Sequence, residues 1–529
     1  MTESLEKRIG QKLLLSFVGY DGSEAVIEAA LEKYRPAGFT LFRTLNITDP
    51  AQVRQLTDAL QRKAQALGLP PLLIATDQEG GQLMAVGKGV TPLPGNMALG
   101  ATGSEALARQ AGEVLGRELA AMGINVDYAP CCDVNVNPDN PVIGTRSFGE
   151  DPAAVARLTA AMIEGIQSVG VVATAKHFPG HGDTAVDSHL GLPVVPHTPE
   201  RLHTVELPPF EAAVASGVKM VMSAHLVLPA IDGPDAPPAT LSQHLLTGLL
   251  REKMGYDGVI ITDAMDMAGI RQDDDLQGVC QKAVMAGIDL LLMTVDPQDQ
   301  QRAFDGLTEA VQTGQLDAGQ LTASLARIGA LKDWLAKQAP QPALDVVGCA
   351  AHLAVADEIA EKSITLVRDE AGLLPLQVDQ RIAVVLPKPA NLTPADTSAS
   401  VKPALAEALR TYCPQVDAFG ISDAPGEAET CEMMDTLTGY DLVVMGTYNA
   451  FAVPEQAAFV QQLLASGLPV VVAALRLPYD LKAFSEAPTY LCTYSILEPS
   501  MHALAKVLFG KIEPTGKLPV AIPGLYPVG

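Results

Sequence analysis

The stretch VVATAKHFPGHGDTAVDSH, residues 171–189, joins two kinds of sequence. It opens on VVATA, a continuous apolar and β-branched run. A run without alternation is the signature of a strand covered on both faces, as in a parallel sheet flanked by helices. Beyond it, Pro179, Gly180 and Gly182 suit a loop, and that loop gathers three of the nine histidines and two aspartates. A metal site, a proton-transfer site and a decorated surface turn are all compatible with this stretch alone.

Similar runs recur on either side: LLLSFV (13–18), GFTLF (38–42), LLIAT (72–76), INVDYAP (124–130), MVMSAH (220–225), GVIIT (258–262) and IDLLLMTV (288–295). With VVATA they make eight. Between them EAVIEAALEKY, PAQVRQLTDALQRKAQALG and DPAAVARLTAAMIEGIQSVG place apolar residues three and four apart, as amphipathic helices do. The last opens with Asp-Pro, a cap followed by a favoured first helical residue. Eight strand–helix units predict an N-terminal (β/α)8 TIM-like barrel; a doubly wound open sheet is the alternative on pattern alone.

The segment WLAKQAPQPALDVVG (334–348) has the composition of a linker. After it RIAVVLP (381–387), YDLVVMGTY (440–448), PVVVAAL (469–475) and TYLCTY (489–494) read as buried strands. AHLAVADEIAEKSITLV (351–367) and PSMHALAKVLFG (499–510) read as helices. The expected organisation is a barrel over 1–338, a linker over 339–350 and a smaller α/β domain over 351–529.

Composition agrees with a multidomain protein. The chain has 529 residues, 48% of them hydrophobic, more than one ordinary domain requires. Its formal net charge of −25 is scattered, which argues against a nucleic-acid or anionic-membrane surface. Seven cysteines without framework spacing suggest reduced thiols. The apolar run Leu13–Val18 is short for a signal peptide, and no stretch approaches a membrane span. The expected location is cytoplasmic.

In a barrel, functional groups sit where strands run out into βα loops. The strand ends here present Asp77 and Glu79, Asp133 with Arg146 beyond it, Lys176 and His177, His225, and Asp263. Zincin-type metal chemistry does not fit, because HFPGH cannot form the helix that would align His177 and His181. No dinucleotide fingerprint, P-loop or GxSxG elbow occurs. Sugar transfer fits better. A retaining glycosidase needs a carboxylate nucleophile and a group still protonated at working pH. Asp263 suits the first role. Asp187 and His189, two apart in Asp-Ser-His, suit the second, since a carboxylate beside an imidazole orients it and favours its charged form. On chemistry alone, such a dyad and a pair of solvated loop residues remain equally open.

KHFPGHGDTAVDSH, DQEGG, NPVIGTRSFGEDP and the strand-end aspartate of IITDAMDM resemble glycoside hydrolase family 3, in its bacterial β-N-acetylglucosaminidase branch. The tail KVLFGKIEPTGKLPVAIP is similar to the end of that family's second domain, so the resemblance spans nearly the whole chain. It implies a TIM-like barrel followed by an α/β sandwich, and exo-acting release of terminal β-linked N-acetylglucosamine, muropeptides of cell-wall recycling included. It implies a covalent intermediate on Asp263 and a general acid/base dyad of His189 and Asp187. Asp77, Arg146, Lys176, His177 and His225 match positions around the sugar. No metal or organic cofactor is implied; the partner is a carbohydrate, with neither nucleic acid nor membrane.

The chain departs from the family pattern at Ala85, where an arginine near the sugar is usual; Lys88 or another loop is expected to substitute. Three alternatives stay open: a phosphorylase using the same intermediate, a β-glucosidase, and a glycan-binding protein with a decayed site. Asp266 is the rival nucleophile, and Asp183 is a candidate for shaping the donor loop. Cys131 and Cys132 are expected to pack beside the fourth strand, and Asp273–Asp275 to start a solvated helix. The oligomeric state is not legible.

Overall fold

The computed structural model of the protein describes residues 4–271 and 275–529. Eight parallel strands follow one another around a ring: β1 (Leu13–Leu15), β2 (Gly38–Thr40), β3 (Leu73–Thr76), β4 (Val126–Asp127), β5 (Val172–Phe178), β6 (Met220–Ser223), β7 (Val259–Thr262) and β8 (Leu291–Leu292). β8 pairs with β1, and a parallel bridge between Ile261 and Leu290 joins β7 to the chain entering β8. The ring therefore closes, as a barrel and not an open sheet. Every residue of all eight strands is buried, which is why they read as unbroken apolar runs. Several strands are shorter than their runs. INVDYAP pairs only over Val126–Asp127, yet Tyr128 and Ala129 stay fully buried. An apolar run reports burial, and ladder pairing occupies only part of it.

The helices begin where their caps place them. Asp151 accepts from the amides of Ala153 (2.8 Å) and Ala154 (2.9 Å), with Pro152 first in the helix Pro152–Ser168. Asp49 and Asp296 cap Pro50–Ala66 and Pro297–Gln312 in the same way. Asp275 caps Leu276–Ala286 through the amide of Gly278, as a helix start should, whereas Asp273 and Asp274 lie outside the described residues. No helix among the described residues is long and apolar enough to cross a membrane.

The second unit is a six-stranded sheet: β9 (Thr365–Asp369), β10 (Ile382–Pro387), β11 (Val416–Ile421), β12 (Leu442–Thr447), β13 (Val470–Ala474) and β14 (Thr489–Cys492), in the order β9-β14-β13-β12-β10-β11. Only the β9–β14 pair is antiparallel. Helices cover both faces. Phe459 and Val460 pack on one, with Val443 and Val472; Met501 and Leu504 pack on the other, with Val444 and Val471. Two strands differ from the sequence reading. The helix expected over 351–367 ends at Ser363, and its β-branched tail turns into β9. β11 is an edge strand exposed at three of its four central positions and half-buried at the fourth, so it lacks the apolar run that marked its neighbours. The linker is tied down: Gly348 N and His352 Nδ1 both donate to Glu118 Oε1 at 2.9 Å, on the barrel helix Glu105–Ala121.

The seam between β7 and β8 is joined by a single bridge rather than a ladder, and a side chain reinforces it. Asp289 is fully buried; its carboxylate accepts from Ile260 N (2.9 Å), from Arg327 Nη2 (2.8 Å) and from Arg251 Nη2. Removing one partner of a buried charge network leaves the others uncompensated. Asp289→Ala is expected to cost about 3–5 kcal/mol, read as a lowered urea midpoint, with Arg251 and Arg327 left facing a buried gap.

Candidate active site

The C-terminal ends of the barrel strands surround a cavity of about 690 Å³. Its wall includes Asp77, Arg146, Lys176, His177, His189 and Asp263, so the structure brings six of the eight sequence candidates to one space. Asp187 stands directly behind His189. His225 is not on the wall: it is fully buried, donating from Nε2 to Ala264 O (3.1 Å), with Nδ1 2.8 Å from Thr240 Oγ1. It stands against the backbone that carries Asp263, and burial lowers its pKa.

One side of the cavity is an ionic cluster. Glu79, 2% exposed, receives a two-pronged pair from Arg146, Nε at 3.0 Å and Nη2 at 2.8 Å. Lys176 Nζ lies 2.7 Å from Glu79 and 2.6 Å from Asp77. Two carboxylates and two cations thus cancel in a space shielded from water. Burial alone would raise the Glu79 pKa; Arg146 and Lys176 overcome it and hold the carboxyl down at about 2. Arg146 also lies 3.4 Å from His177 Nε2, while His177 Nδ1 donates to Asp133 Oδ2 at 2.7 Å. Asp133 accepts further from the amides of His177 (3.3 Å) and His181 (2.6 Å), fixing the turn where β5 becomes the donor loop.

Cys131, Asp133 and His177 offer ligand-type atoms within 4.8 Å of one another. They do not suit a metal. The Asp133 oxygens already accept from four donors, Cys131 Sγ and His177 Nδ1 at Oδ2 and the amides of His177 and His181 at Oδ1, so neither is held open for an ion. Cys131 and Cys132 are buried beside the fourth strand, and all seven cysteines are free.

Opposite the ionic cluster, Asp263 follows β7. Its Oδ1 accepts from Ala264 N at 2.8 Å. Burial works against its charge, but His177, His225 and His189 prevail and hold the pKa at about 2. On the donor loop His189 Nδ1 donates to Asp187 Oδ1 at 2.7 Å, and the same oxygen accepts the His189 amide at 2.9 Å. The two side chains meet through a turn. Burial lowers the imidazole pKa; Asp187 and the charge of Asp263 more than offset this, and the net shift is upward. His181, driven down to about 4 by burial, is neutral; Nδ1 lies 2.8 Å from Thr184 Oγ1, and Nε2 accepts from Ser188 Oγ at 3.0 Å, next to His189.

Sequence reading missed two contributors. Arg43, after β2, lines the cavity; its Nη1 donates to Met84 O (2.8 Å) and Nη2 to Ser400 Oγ (2.7 Å). It therefore brings a guanidinium beside the hairpin that carries Ala85, whereas Lys88 is exposed and absent from the wall. The second is the segment 391–400 of the second domain, which supplies Asn391, Asp396, Thr397 and Ser400 to the wall. Thr397 N and Oγ1 donate to Gln82 O at 2.9 Å, and Arg476 Nη1 holds Asp396 at 3.0 Å. NLTPADTSAS carries no pattern beyond that of a polar loop, so only the fold reveals it. Asp266 lines the same cavity as Asp263 but lies further along the loop.

Arg146 and Lys176 hold the Glu79 carboxyl far below its ordinary value of 4.5. A depressed carboxyl stabilises the fold above its unfolded pKa and loses that contribution as pH falls toward its folded one. Glu79→Gln should therefore destabilise the protein at pH 7, and the gap to wild type should shrink by roughly 3 kcal/mol as pH falls from 4.5 toward 2. Urea melts across that range measure it.

Comparison with known proteins agrees with this architecture. Residues 4–331 match the glycosyl hydrolase family 3 N-terminal domain and residues 364–525 its C-terminal domain. The chain is 32% identical to a β-hexosaminidase A of Pseudoalteromonas piscicida, over 97% of this chain and 96% of that one. It superposes on the structure of a family 3 β-N-acetylglucosaminidase from a Paenibacillus species with a TM-score of 0.93, at 37% identity, covering 98% and 99% of the two chains. A β-glucoside phosphorylase shares the fold at a TM-score of 0.84 and 24% identity. The barrel and the second α/β sheet correspond to the N- and C-terminal domains of one family, and the chain belongs to glycoside hydrolase family 3.

Proposed function

We propose that the protein is a retaining, exo-acting β-N-acetylglucosaminidase, with Asp263 as nucleophile and His189, oriented by Asp187, as general acid and base. The observation that carries this reading is the pairing across one cavity of an ionised aspartate with an imidazole clamped at Nδ1. With Nδ1–H committed to Asp187, Nε2 carries the transferable proton. An Asp263 oxygen attacks the anomeric carbon, the glycosidic C–O bond breaks, and the departing oxygen takes the proton from His189 Nε2. His189 then accepts a proton from water as that water's oxygen attacks the anomeric carbon and the bond to Asp263 breaks. Asp77, Arg146, Lys176 and His177 bind the sugar; the Glu79 pairs fix Arg146 and Lys176 in place beforehand, so that little ordering remains to be done on binding. His225 steadies the strand end that presents Asp263. The similarity to a β-hexosaminidase over nearly the full chain supports the choice of sugar.

A slow 2-fluoro or 5-fluoro glycosyl inhibitor should leave an ester on Asp263, seen by mass spectrometry of the digested protein; an ester on Asp266 would reassign the nucleophile. His189→Ala should slow cleavage of aryl N-acetylglucosaminides with poor leaving groups by about 10²-fold or more, with much less effect on activated ones. The wild-type rate should fall as pH rises through the raised His189 pKa, because the acid must be protonated, and His189→Ala should lack that limb.

A further inference from the structure

The donor loop that carries Asp187 and His189 is held at its base by groups the chemistry above does not use. Asp183 stands near the loop's start and His197 at its end; His197 Nε2 lies 2.7 Å from Asp183 Oδ2. Arg201, in the short helix Pro199–Thr204 that follows, reaches back with Nη2 to Asp183 Oδ2 (3.5 Å) and to Glu206 Oε1 (3.2 Å). Glu206 is 3% exposed, and its other oxygen, Oε2, is buried without a protein partner. The Arg201 Nε is buried and unpartnered in the same way.

Asp183, His197 and Glu206 also form a set of ligand-type atoms within 4.8 Å of one another. Arg201 already supplies the cation that such a set demands, within hydrogen-bonding reach of Glu206 and close to Asp183. A divalent ion there would stand against a fixed guanidinium. The set reads instead as a closed ionic clasp. Glu206 also touches the first turn of the loop: a Cβ on Gly180 would meet Glu206 Cβ at 2.8 Å, so the turn is pressed against this side chain. At the loop's far end, Val195 N donates to Val227 O and Val227 N to Pro193 O, both at 2.8 Å. Its middle is fastened to the loop after β7, where Gly269 N donates to Ser188 O at 3.0 Å. Between these anchors Leu190 is exposed to 76% and Val186 to 44% and they gain little from core packing, while Asp187 and Ser188 are buried. The position of His189 therefore depends on how the loop's ends are held.

We propose that Arg201, bridging Asp183 and Glu206 with His197 alongside, is a positioning clasp that joins the two ends of the donor loop and sets the reach of His189 toward the leaving group. The proposal rests on the reading of His189 as proton donor. A clasp of this kind acts on proton delivery and not on attack by Asp263, so its loss should follow the leaving group.

The experiment measures kcat/KM for aryl N-acetylglucosaminides from dinitrophenyl to phenyl in wild type, His189→Ala, Arg201→Gln and Arg201→Lys. Arg201→Gln is expected to lower the rate on the phenyl substrate about 30-fold and on the dinitrophenyl substrate by less than about 3-fold. Arg201→Lys, which keeps a cation between the carboxylates, should recover most of the loss. The double variant His189→Ala/Arg201→Gln should be no more sensitive to the leaving group than His189→Ala alone. Should Arg201→Gln fail to fold, Asp183→Asn, at a partly exposed position, carries the same comparison. Equal loss across the series, or none, overturns the clasp. If His189→Ala itself shows no dependence on the leaving group, the donor assignment fails instead.

Discussion

The active-site face is built around a single buried carboxylate. Glu79 sits just past β3, yet it holds Arg146 from the loop after β4 and Lys176 from the end of β5. Three βα units are thereby locked at one point, in surroundings where an unpaired charge would be costly. Arg146 is further fixed through its backbone carbonyl, which accepts from Asn96 Nδ2 at 2.7 Å, and Lys176 extends the cluster to Asp77. The cavity keeps its polar wall before any ligand arrives because these charges neutralise one another. A barrel of short strands tolerates this arrangement since its apolar layers, and the Asp289 network at the seam, carry the ring's closure elsewhere.

The two sides of the cavity use opposite electrostatic strategies. Around Glu79 the charges are paired and saturated. Around Asp263 they are not: its carboxylate lies within the influence of three imidazoles but, among the described residues, accepts a hydrogen bond only from the neighbouring amide. A carboxylate kept ionised by field rather than by direct ion pairing retains a free lone pair, which a nucleophile needs. The imidazoles differ in turn. His181 is neutral through burial, whereas His189 gains charge from its carboxylate neighbour. Residue type alone does not separate these two roles; neighbours do.

Much of this was legible in the chain. The barrel followed from eight runs whose burial on both faces removes alternation, and the start of one helix from its Asp-Pro pair. The site residues followed from one rule, that strand ends carry function, applied to Asp77, Lys176, His177 and Asp263. What escaped had no periodic trace. β11 is an exposed edge strand, and β9 was hidden behind a helix whose amphipathic pattern runs on into it. Arg43 and the 391–400 loop enter the cavity through tertiary geometry alone, and His225 looked like any other strand-end residue until its ring proved to be turned into the interior. Local pattern predicts what must be buried or capped; it does not tell which distant loop will fill a space.

That distant loop changes how specificity is apportioned. The charged wall of the cavity belongs to the barrel, but part of the rim is lent by a separately wound sheet through Thr397, anchored on Gln82, and Ser400, held by Arg43. Two bodies that share a mouth can drift independently: small changes in the tilt or loop length of the second would reshape the entrance while the first keeps its chemistry intact. Such an enzyme can exchange preferences for the group beyond the cleaved bond without rebuilding its engine.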